Sequence, residues 1–452
     1  MGIRAQEELA AIFSSRGRRS YFVRRRPDRT ETGNTGTPIA QEAFFQWSDL
    51  IAGLRVWWAL AMRGGNAHVS SDALGRLDSV LKCSLIRALR RSEVTQEMLL
   101  KPLSLWICVA AQRSLRIATW AASAESAVVV CADPGYVNEY EFCTVFTGVR
   151  RTVLIVNHGF DEKHLFIRKA VGEECFEHPL HLTHEDVASC GGFADPARVR
   201  QELVERYYSK SWYNYVGTVE SVVRHSPSFA RLKEQLASSS GDVIVVFPHI
   251  FWDGTFFLGR NCFDCYQAWF EWLCGYIASD GNRRTWVLKL HPANLGKGES
   301  QDKAQELEVI CRHGLDTRSN IIILPYDSEV SALDLFTVAN AVLTVRGTVA
   351  LEAALFGVPA LCAGSGRHSL PGLVMESRDA ADLRDGLDHA RYRQFKPDQD
   401  LAARLFNCYF ANKDVPYNSL LNDGGRTARD FDRFLTSGRR HFMVGESASV
   451  VS

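Results

Sequence analysis

Six short runs of this 452-residue chain are apolar at nearly every position rather than at every second one. They are 126–132 (SAVVVCA), 152–156 (TVLIV), 243–247 (VIVVF), 285–290 (TWVLKL), 321–324 (IIIL) and 341–345 (AVLTV). Each is short for a helix, rich in Val and Ile, and followed by turn residues. Runs without alternation are buried on both faces, which is the pattern of parallel sheets covered by helices. Helical spacing separates them at 266–278, 303–313 and 331–337, and a further short run follows at 359–362. A βα rhythm of this kind predicts an α/β protein built on parallel sheets, whose ligands gather in the loops after the strand C-termini.

The length suits two domains of about 200 residues each. The low-complexity Ser238-Ser239-Ser240-Gly241 marks the boundary. The expected layout has a flexible basic arm at 1–40 and an N-terminal Rossmann-like domain at 41–240. Helices at 42–62, 77–89 and 99–121 open that domain. A second Rossmann-like domain spans 241–397. Residues 398–452 carry helices at 400–410 and 425–435 that pack back, then a tail of small residues. The arm holds Arg16, Arg18, Arg19, Arg24, Arg25, Arg26 and Arg29, and reads either as a solvated tail or as a contact with anionic lipid. Formal net charge is zero, which argues against a nucleic-acid surface. No run approaches the roughly 18 apolar residues of a membrane span, and no secretory hydrophobic region opens the chain. Gly2 lacks the Ser or Thr that myristoylation wants at position 6, where Gln6 stands. Twelve cysteines scattered through apolar segments fit a reduced, cytoplasmic protein. Cys262-x-x-Cys265 has no second pair at zinc spacing, so it reads as a helix start, and no metal site is expected.

The strand ends carry the chemistry. In the first half they are Asp133, Tyr136, Asn157, His158 and Gly159. In the second half they are His249 and Asp253, then Lys289, His291 and Pro292, then Tyr326, then Arg346, Gly347 and Thr348. A Gly-Thr corner opening a helix exposes backbone N–H groups that suit a phosphate or diphosphate. His291 and Lys289 could add charge-assisted donors, and Glu352, one turn into the helix, an acceptor for a ribose hydroxyl. Taken singly, each has a plainer reading: Thr348 as an N-cap, Glu352 as a surface residue, His291-Pro292 as a turn, Asp253-Gly254 as a turn dipeptide, Arg346 as solvent-facing. Their occurrence on successive strand ends favours one shared nucleotide ligand.

The segment LTVRGTVALEAALFGVPALC, with KLHP about fifty residues earlier, resembles the bacterial capsule polysaccharide biosynthesis proteins. Those are GT-B glycosyltransferases, among them the Kdo transferases of capsule assembly and, more distantly, the CDP-glycerol-type polymer transferases. The family pattern is met by Thr348, Glu352, Gly357 and Pro359, and CADPGYVNEYEF and VLIVNHGFDEKH are similar to its first-domain strand ends. The resemblance spans 125–395. It implies two Rossmann-like domains facing across a cleft, with extra N-terminal helices and a helical C-terminus, and a CMP- or UDP-linked sugar donor. His291 and Gly347-Thr348 would hold the donor phosphate and Glu352 its ribose, with His249, Lys289, Pro292, Tyr326 and Arg346 around them. Asp133, Tyr136, Asn157 and Gly159 would face the acceptor, a glycan or lipid-linked molecule. Asp253 or His158 would be the general base of an inverting reaction, or a carboxylate the nucleophile of a retaining one. No metal or other cofactor is implied. The PHIFWDG loop departs from the Kdo enzymes, which leaves the donor sugar open. Two other readings remain: a nucleotide-sugar 2-epimerase of the same architecture, and a non-catalytic module binding nucleotide sugar or glycan.

Overall fold

The computed structural model describes residues 20–22, 45–62, 77–89, 94–123, 128–131, 134–158, 165–178, 181–190, 194–208, 225–237, 241–253, 258–292, 294, 305–411, 431, 433–438 and 441–442. The chain divides into two compact units, Met1–Leu180 with Ala411–Ser452, and His181–Phe410. The helices between 184 and 237 thus group with the strands after Ser238.

The first unit is built on strands β1 (Ser20–Phe22), β2 (Val128–Cys131), β3 (Val153–His158) and β4 (Leu165–Ala170), with the strand His441–Phe442 beyond β4. β1, β2 and β3 run parallel, but β4 is antiparallel to both its neighbours, so this sheet is mixed where the apolar runs predict a parallel one. The connection 159–164 explains the reversal, because a parallel crossover requires a dozen residues or more. β1 lies inside the stretch expected to be a flexible arm, yet Ser20 to Phe22 pair in register with Val128 to Val130. β4 escapes the apolar pattern because it contains Arg168 and Lys169. Arg168 is fully buried, and its guanidinium donates to Glu177 Oε2 at 3.2 Å and to the Glu174 carbonyl at 2.9 Å.

Helices α1 (Trp47–Met62), α2 (Leu77–Leu89), α3 (Gln96–Leu99), α4 (Pro102–Ala122) and α5 (Tyr140–Gly148) also belong to this unit. Pro102 at the first position of α4 gives up only an N–H that would have no helical partner. α1 and α4 run antiparallel. At one end Arg116 forks onto the buried Asp49, with Nε–Oδ1 at 2.8 Å and a second bond to Oδ2 at 2.9 Å. That pairing holds the Asp49 carboxyl below the usual carboxylate range. At the other end the Trp57 indole N–H donates to the Leu99 carbonyl at 2.6 Å. Between these points the helices touch at Gly53, where a Cβ would come within 2.7 Å of Val109 Cα.

In the second unit, helices α6 (His184–Cys190), α7 (Pro196–Tyr208) and α8 (Pro227–Ala237) precede the sheet. Then come β5 (Asp242–Val246), α9 (Tyr266–Asp280), β6 (Arg284–Lys289), α10 (Gln305–Arg312), β7 (Ile321–Leu324), α11 (Ala332–Phe336) and β8 (Ala341–Thr344). The chain continues through α12 (Val349–Leu355), β9 (Ala360–Cys362), β10 (Met375–Glu376), α13 (Ala380–Asp388) and α14 (Gln399–Ala411). All six strands are parallel, in the order β10-β9-β8-β5-β6-β7. This is the doubly wound nucleotide-binding order, in which the first strand of the sheet neighbours the second and the fourth, and connectivity reverses between β5 and β8. One face buries Ile244, Val246, Trp286, Leu288 and Leu343 against Trp269, Phe270, Leu273 and Ile277 of α9. Arg200 of α7 donates to the Leu355 carbonyl at 3.2 Å and to Gln399 Oε1 at 2.8 Å, tying α7 and α14 to the end of α12.

Gly53→Ala tests the α1–α4 contact. Helix propensity alone would stabilise the variant by about 1 kcal/mol. The close approach to the Val109 backbone should outweigh that and destabilise it by roughly 1–3 kcal/mol, read by urea denaturation.

Candidate functional site

The loops after β5 and β8 meet at the reversal point of the second sheet, and their junction is held by unusual contacts. The Phe247 N–H continues the ladder to the Leu343 carbonyl at 2.9 Å, and Thr344 Oγ1 donates to the Phe247 carbonyl at 2.9 Å. Two residues on, the Arg346 backbone N–H donates to His249 Nε2 at 3.1 Å. Because Nε2 accepts, the neutral imidazole carries its proton on Nδ1. The ring stacks on Tyr266, with centroids 4.5 Å apart and planes at 10°. Burial, helped by His291, Arg346 and His368, holds the His249 pKa well below that of an ordinary histidine. His249 is therefore a neutral group beside the fixed charge of Arg346.

Arg346 does not face solvent. It is 4% exposed, and its guanidinium donates to the Leu258 carbonyl at 2.8 Å and to Asn261 Oδ1. The segment 258–262 is laced in turn to the end of β9: the Cys262 N–H bonds the Ala363 carbonyl at 2.9 Å, and the Ser365 N–H the Arg260 carbonyl at 2.8 Å. One side chain thus pins the segment that follows β5 over the ends of β8 and β9. Cys265 begins α9, its Sγ accepting from the Ala268 N–H at 3.3 Å, so the Cys262-x-x-Cys265 pair sits at a helix start.

Asp253 stands in the turn after β5, where its N–H bonds the Ile250 carbonyl at 3.1 Å. Ile250, Phe251 and Trp252 are buried beneath it, which fixes the turn from below. Lys289 ends β6; it is buried, its ammonium donates to the Ser328 carbonyl at 3.3 Å, and burial pushes its pKa down to about 8. His291 and Pro292 follow in the half-buried turn that caps this strand. Gly347 keeps the corner after β8 tight, because a Cβ there would come 3.1 Å from Thr344 Oγ1 and 3.2 Å from Val349 Cγ1. Thr348 begins α12 in helical backbone and makes no side-chain cap bond, so the N-cap reading does not account for its hydroxyl. Glu352 is 3% exposed rather than a surface residue, and burial pushes its carboxyl up to about 7 against the opposing pull of Arg367.

Other expected site residues have different work. Tyr326 is 1% exposed in the core, and its hydroxyl donates to Glu306 Oε2 at 2.9 Å. Glu306 Oε1 also accepts from Asn294 Nδ2 at 3.0 Å, so through Glu306 the Tyr326 hydroxyl is tied to the segment after β6. Gly357 and Pro359 belong to a helix stop. Gly357 is left-handed at φ 76°, its N–H bonds the Ala354 carbonyl at 3.0 Å, and the Val358 N–H bonds the Ala353 carbonyl at 2.9 Å. That is a Schellman motif. Asp398 of the Asp398-Gln399-Asp400 triplet accepts from the Leu401 N–H at 2.8 Å and caps the start of α14.

In the first unit, Tyr136 is buried, with its hydroxyl 2.6 Å from Arg87 Nη1 and the guanidinium carbon 4.8 Å from the ring centre. Asn157 and His158 end β3, paired through the backbone with Phe166 and Leu165. Their side chains, and the whole of Asp133 and Gly159, lie outside the described residues.

The residue that sequence reasoning missed is His368. It follows β9 in the loop Gly364-Ser365-Gly366-Arg367-His368, is fully buried, and has its pKa pushed down to about 4, chiefly by burial. The sequence signal was available: a Gly-Ser-Gly run directly after a strand lets the chain turn back over the sheet edge. His249, His291 and His368 gather with Arg346 and Arg367 at one edge, where the charge of Arg346 adds to burial in keeping His249 and His368 neutral. A bound anion would complement the arginine charge.

No protein-family model matches the chain, and no curated protein matches it. Among solved structures it is similar to a KpsC β-Kdo 2,4 transferase from Thermosulfurimonas dismutans, at 14% identity and a TM-score of 0.35, over 63% of this chain and 83% of that one. It is also similar to a glycosyltransferase from Rickettsia africae, at 10% identity and a TM-score of 0.31, over 79% and 97% of the two chains. A UDP-GlcNAc 2-epimerase from Methanocaldococcus jannaschii matches at 12% identity and a TM-score of 0.28, over 68% and 82%. None of these exceeds a TM-score of 0.35, so they bear on neither substrate nor mechanism.

Glu352 makes the site's electrostatics measurable. Its folded pKa of about 7 lies above the unfolded value, so the stability its neutral form supplies is present at low pH and is lost as pH rises through about 7. Relative to Glu352→Gln, the native chain should lose up to about 3 kcal/mol between about pH 5 and pH 8 in urea titrations. Parallel curves for the two proteins would contradict the assignment.

Proposed function

We propose that this chain is a glycosyltransferase that moves a sugar from a CMP- or UDP-linked donor to a glycan or lipid-linked acceptor in bacterial surface polysaccharide synthesis. The observation that carries the reading is the convergence of His249, the Gly347-Thr348 corner, Arg346 and His368 where β5 meets β8, in the sheet order that binds nucleotides at that point. The resemblance of KLHP and of the Thr348–Glu352–Gly357–Pro359 segment to the capsule family supports the substrate class.

In this reading the donor phosphates lie against the Gly347-Thr348 backbone. Nδ1–H of neutral His249 and the His291 ring act as donors, and the fixed charge of Arg346 stands behind them. Glu352 and its helix turn face the ribose. Asp253 is the general base: its carboxylate takes the proton of the acceptor hydroxyl, that oxygen attacks the anomeric carbon, and the bond from that carbon to the phosphate oxygen breaks. His158 is the other candidate base. The departing nucleotide's negative charge is held by this chain's own cationic and N–H groups, without a resident metal. The first unit, through Asp133, Tyr136, Asn157 and Gly159, is assigned to the acceptor.

Thermal denaturation with CMP-, UDP-, GDP- and CDP-linked sugars tests the donor site. The cognate donor at about 100 times its Kd should stabilise the protein by about 2.7 kcal/mol, and His291→Ala should lose that shift. Asp253→Asn should keep the shift but lose about 100-fold or more of the transfer or donor-hydrolysis rate. The activity should survive EDTA. If no donor raises the melting temperature, the site assignment fails. Conversion of a UDP-sugar without acceptor would replace the transferase by an epimerase, and donor binding without turnover would leave a binding module.

A further inference from the structure

We propose that α1 of the first unit lies flat on an anionic bilayer surface. The observation is a stripe of large apolar side chains that the fold leaves uncovered: Trp47 is 75% exposed, Ile51 51%, Leu54 38%, Trp58 60% and Met62 67%. Spaced three or four residues apart, they fall on one face of the helix. The only other exposed residues of α1 are Ser48 and Arg55, so no acid interrupts that face. Leu100, Leu103 and Trp106 are exposed as well, at the end of the helix pair where Trp57 meets Leu99. Isolated exposed hydrophobics are ordinary, but a contiguous stripe carrying several indoles is not.

The helix does not span a bilayer. It has 16 residues, about 24 Å against the roughly 30 Å of the hydrocarbon core. Its opposite face is committed to α4 through Gly53 and the Asp49–Arg116 pair. A helix with one bulky apolar face that is too short to cross lies in the interface, where indoles sit with their rings among acyl chains and their N–H groups wet.

Charge selects the occupant. Among the described residues, Arg55 is the exposed charge on α1 itself, and near the exposed Leu100 and Leu103 Lys101 is paired with Glu97 at 3.3 Å. Between Arg16 and Arg29 the sequence holds seven arginines and one acid, Asp28. β1, within that stretch, is fixed to the same sheet as β2 of this unit. A second copy of this chain would bring like charges together across a two-fold axis. Anionic phospholipid headgroups complement them. This inference rests on the first unit alone and is independent of the nucleotide-sugar reading.

Flotation of the full chain with phosphatidylcholine vesicles, with and without phosphatidylglycerol, tests it. The protein should float with the anionic vesicles, less so as salt rises, and its tryptophan emission should shift to the blue. Trp47→Ser/Trp58→Ser should weaken binding about tenfold or more at an unchanged melting temperature, because both residues are exposed. Arg55→Glu should weaken binding to anionic vesicles only. Absence of binding to anionic vesicles, or binding that the double tryptophan variant retains, would overturn the proposal. So would a dimer of the native chain that the same variant makes monomeric without any vesicle binding.

Discussion

The second unit's sheet edge depends on one short junction, the bond from the Arg346 N–H to His249 Nε2. It joins the two loops that diverge where the strand order reverses. It also fixes which tautomer His249 can adopt, and with it which nitrogen can donate. The same arginine sends its side chain inward, to the Leu258 carbonyl and Asn261. Both acceptors are neutral, so neither of these two bonds cancels the guanidinium's charge. Its field persists among the neighbouring rings, which is why Arg346 figures in the depressed pKa of both His249 and His368. The structural pin and the electrostatic bias are the work of one residue.

The carboxylates around that edge divide into two kinds. Glu376 is engaged, with Arg260 and Ser369 as partners. Glu352 is buried, Arg367 offsets that burial only in part, and its carboxyl is pushed up accordingly. A carboxyl held near neutrality can accept or donate, whereas an ionised one only accepts. Placed one turn inside α12, behind the Gly347-Thr348 corner, it suits a hydroxyl-bearing ligand better than a second cation. The corner itself gains its shape from the Thr344 side chain beneath Gly347 and from the left-handed Gly357 that ends the helix. Gly357 and Pro359 therefore hold the helix that carries the site without touching its chemistry.

Much of the second sheet was legible because its strands are buried on both faces and need no charged residue. The runs at 243–247, 285–290, 321–324 and 341–345 all became strands within about one residue of their sequence limits. The first sheet was less legible for a reason visible in β4. Arg168 is tolerated in a strand only because Glu177 and the Glu174 carbonyl, brought by the turn after it, take up its donors. Nothing local to LFIRKA announces that partner. The site followed the same rule. Strand-end position singled out His249, His291 and the Arg346 corner, since loop placement follows from topology. Position could not say that Tyr326 would turn inward to Glu306, a partner twenty residues away on α10. Nor could it find that His368, in the loop after β9, would be fully buried.

The exposed face of α1 is constrained by what lies behind it. A helix with bulky residues on several sides could in principle roll to bury its tryptophans. Here three contacts set its rotation. Gly53 is the one position where the backbone of α4 can approach this closely, since a side chain there would meet Val109. Asp49, four residues earlier, must face Arg116, because a buried carboxylate turned away from its partner loses its compensating charge. Trp57, four residues later, spends its indole N–H on Leu99. Positions 49, 53 and 57 lie on one line of the helix, so the fold has already chosen the face toward α4. Rolling Trp47 and Trp58 inward would expose Asp49 and open the Gly53 contact together. Their exposure is therefore a consequence of the pairing, and it persists for as long as the helix pair does.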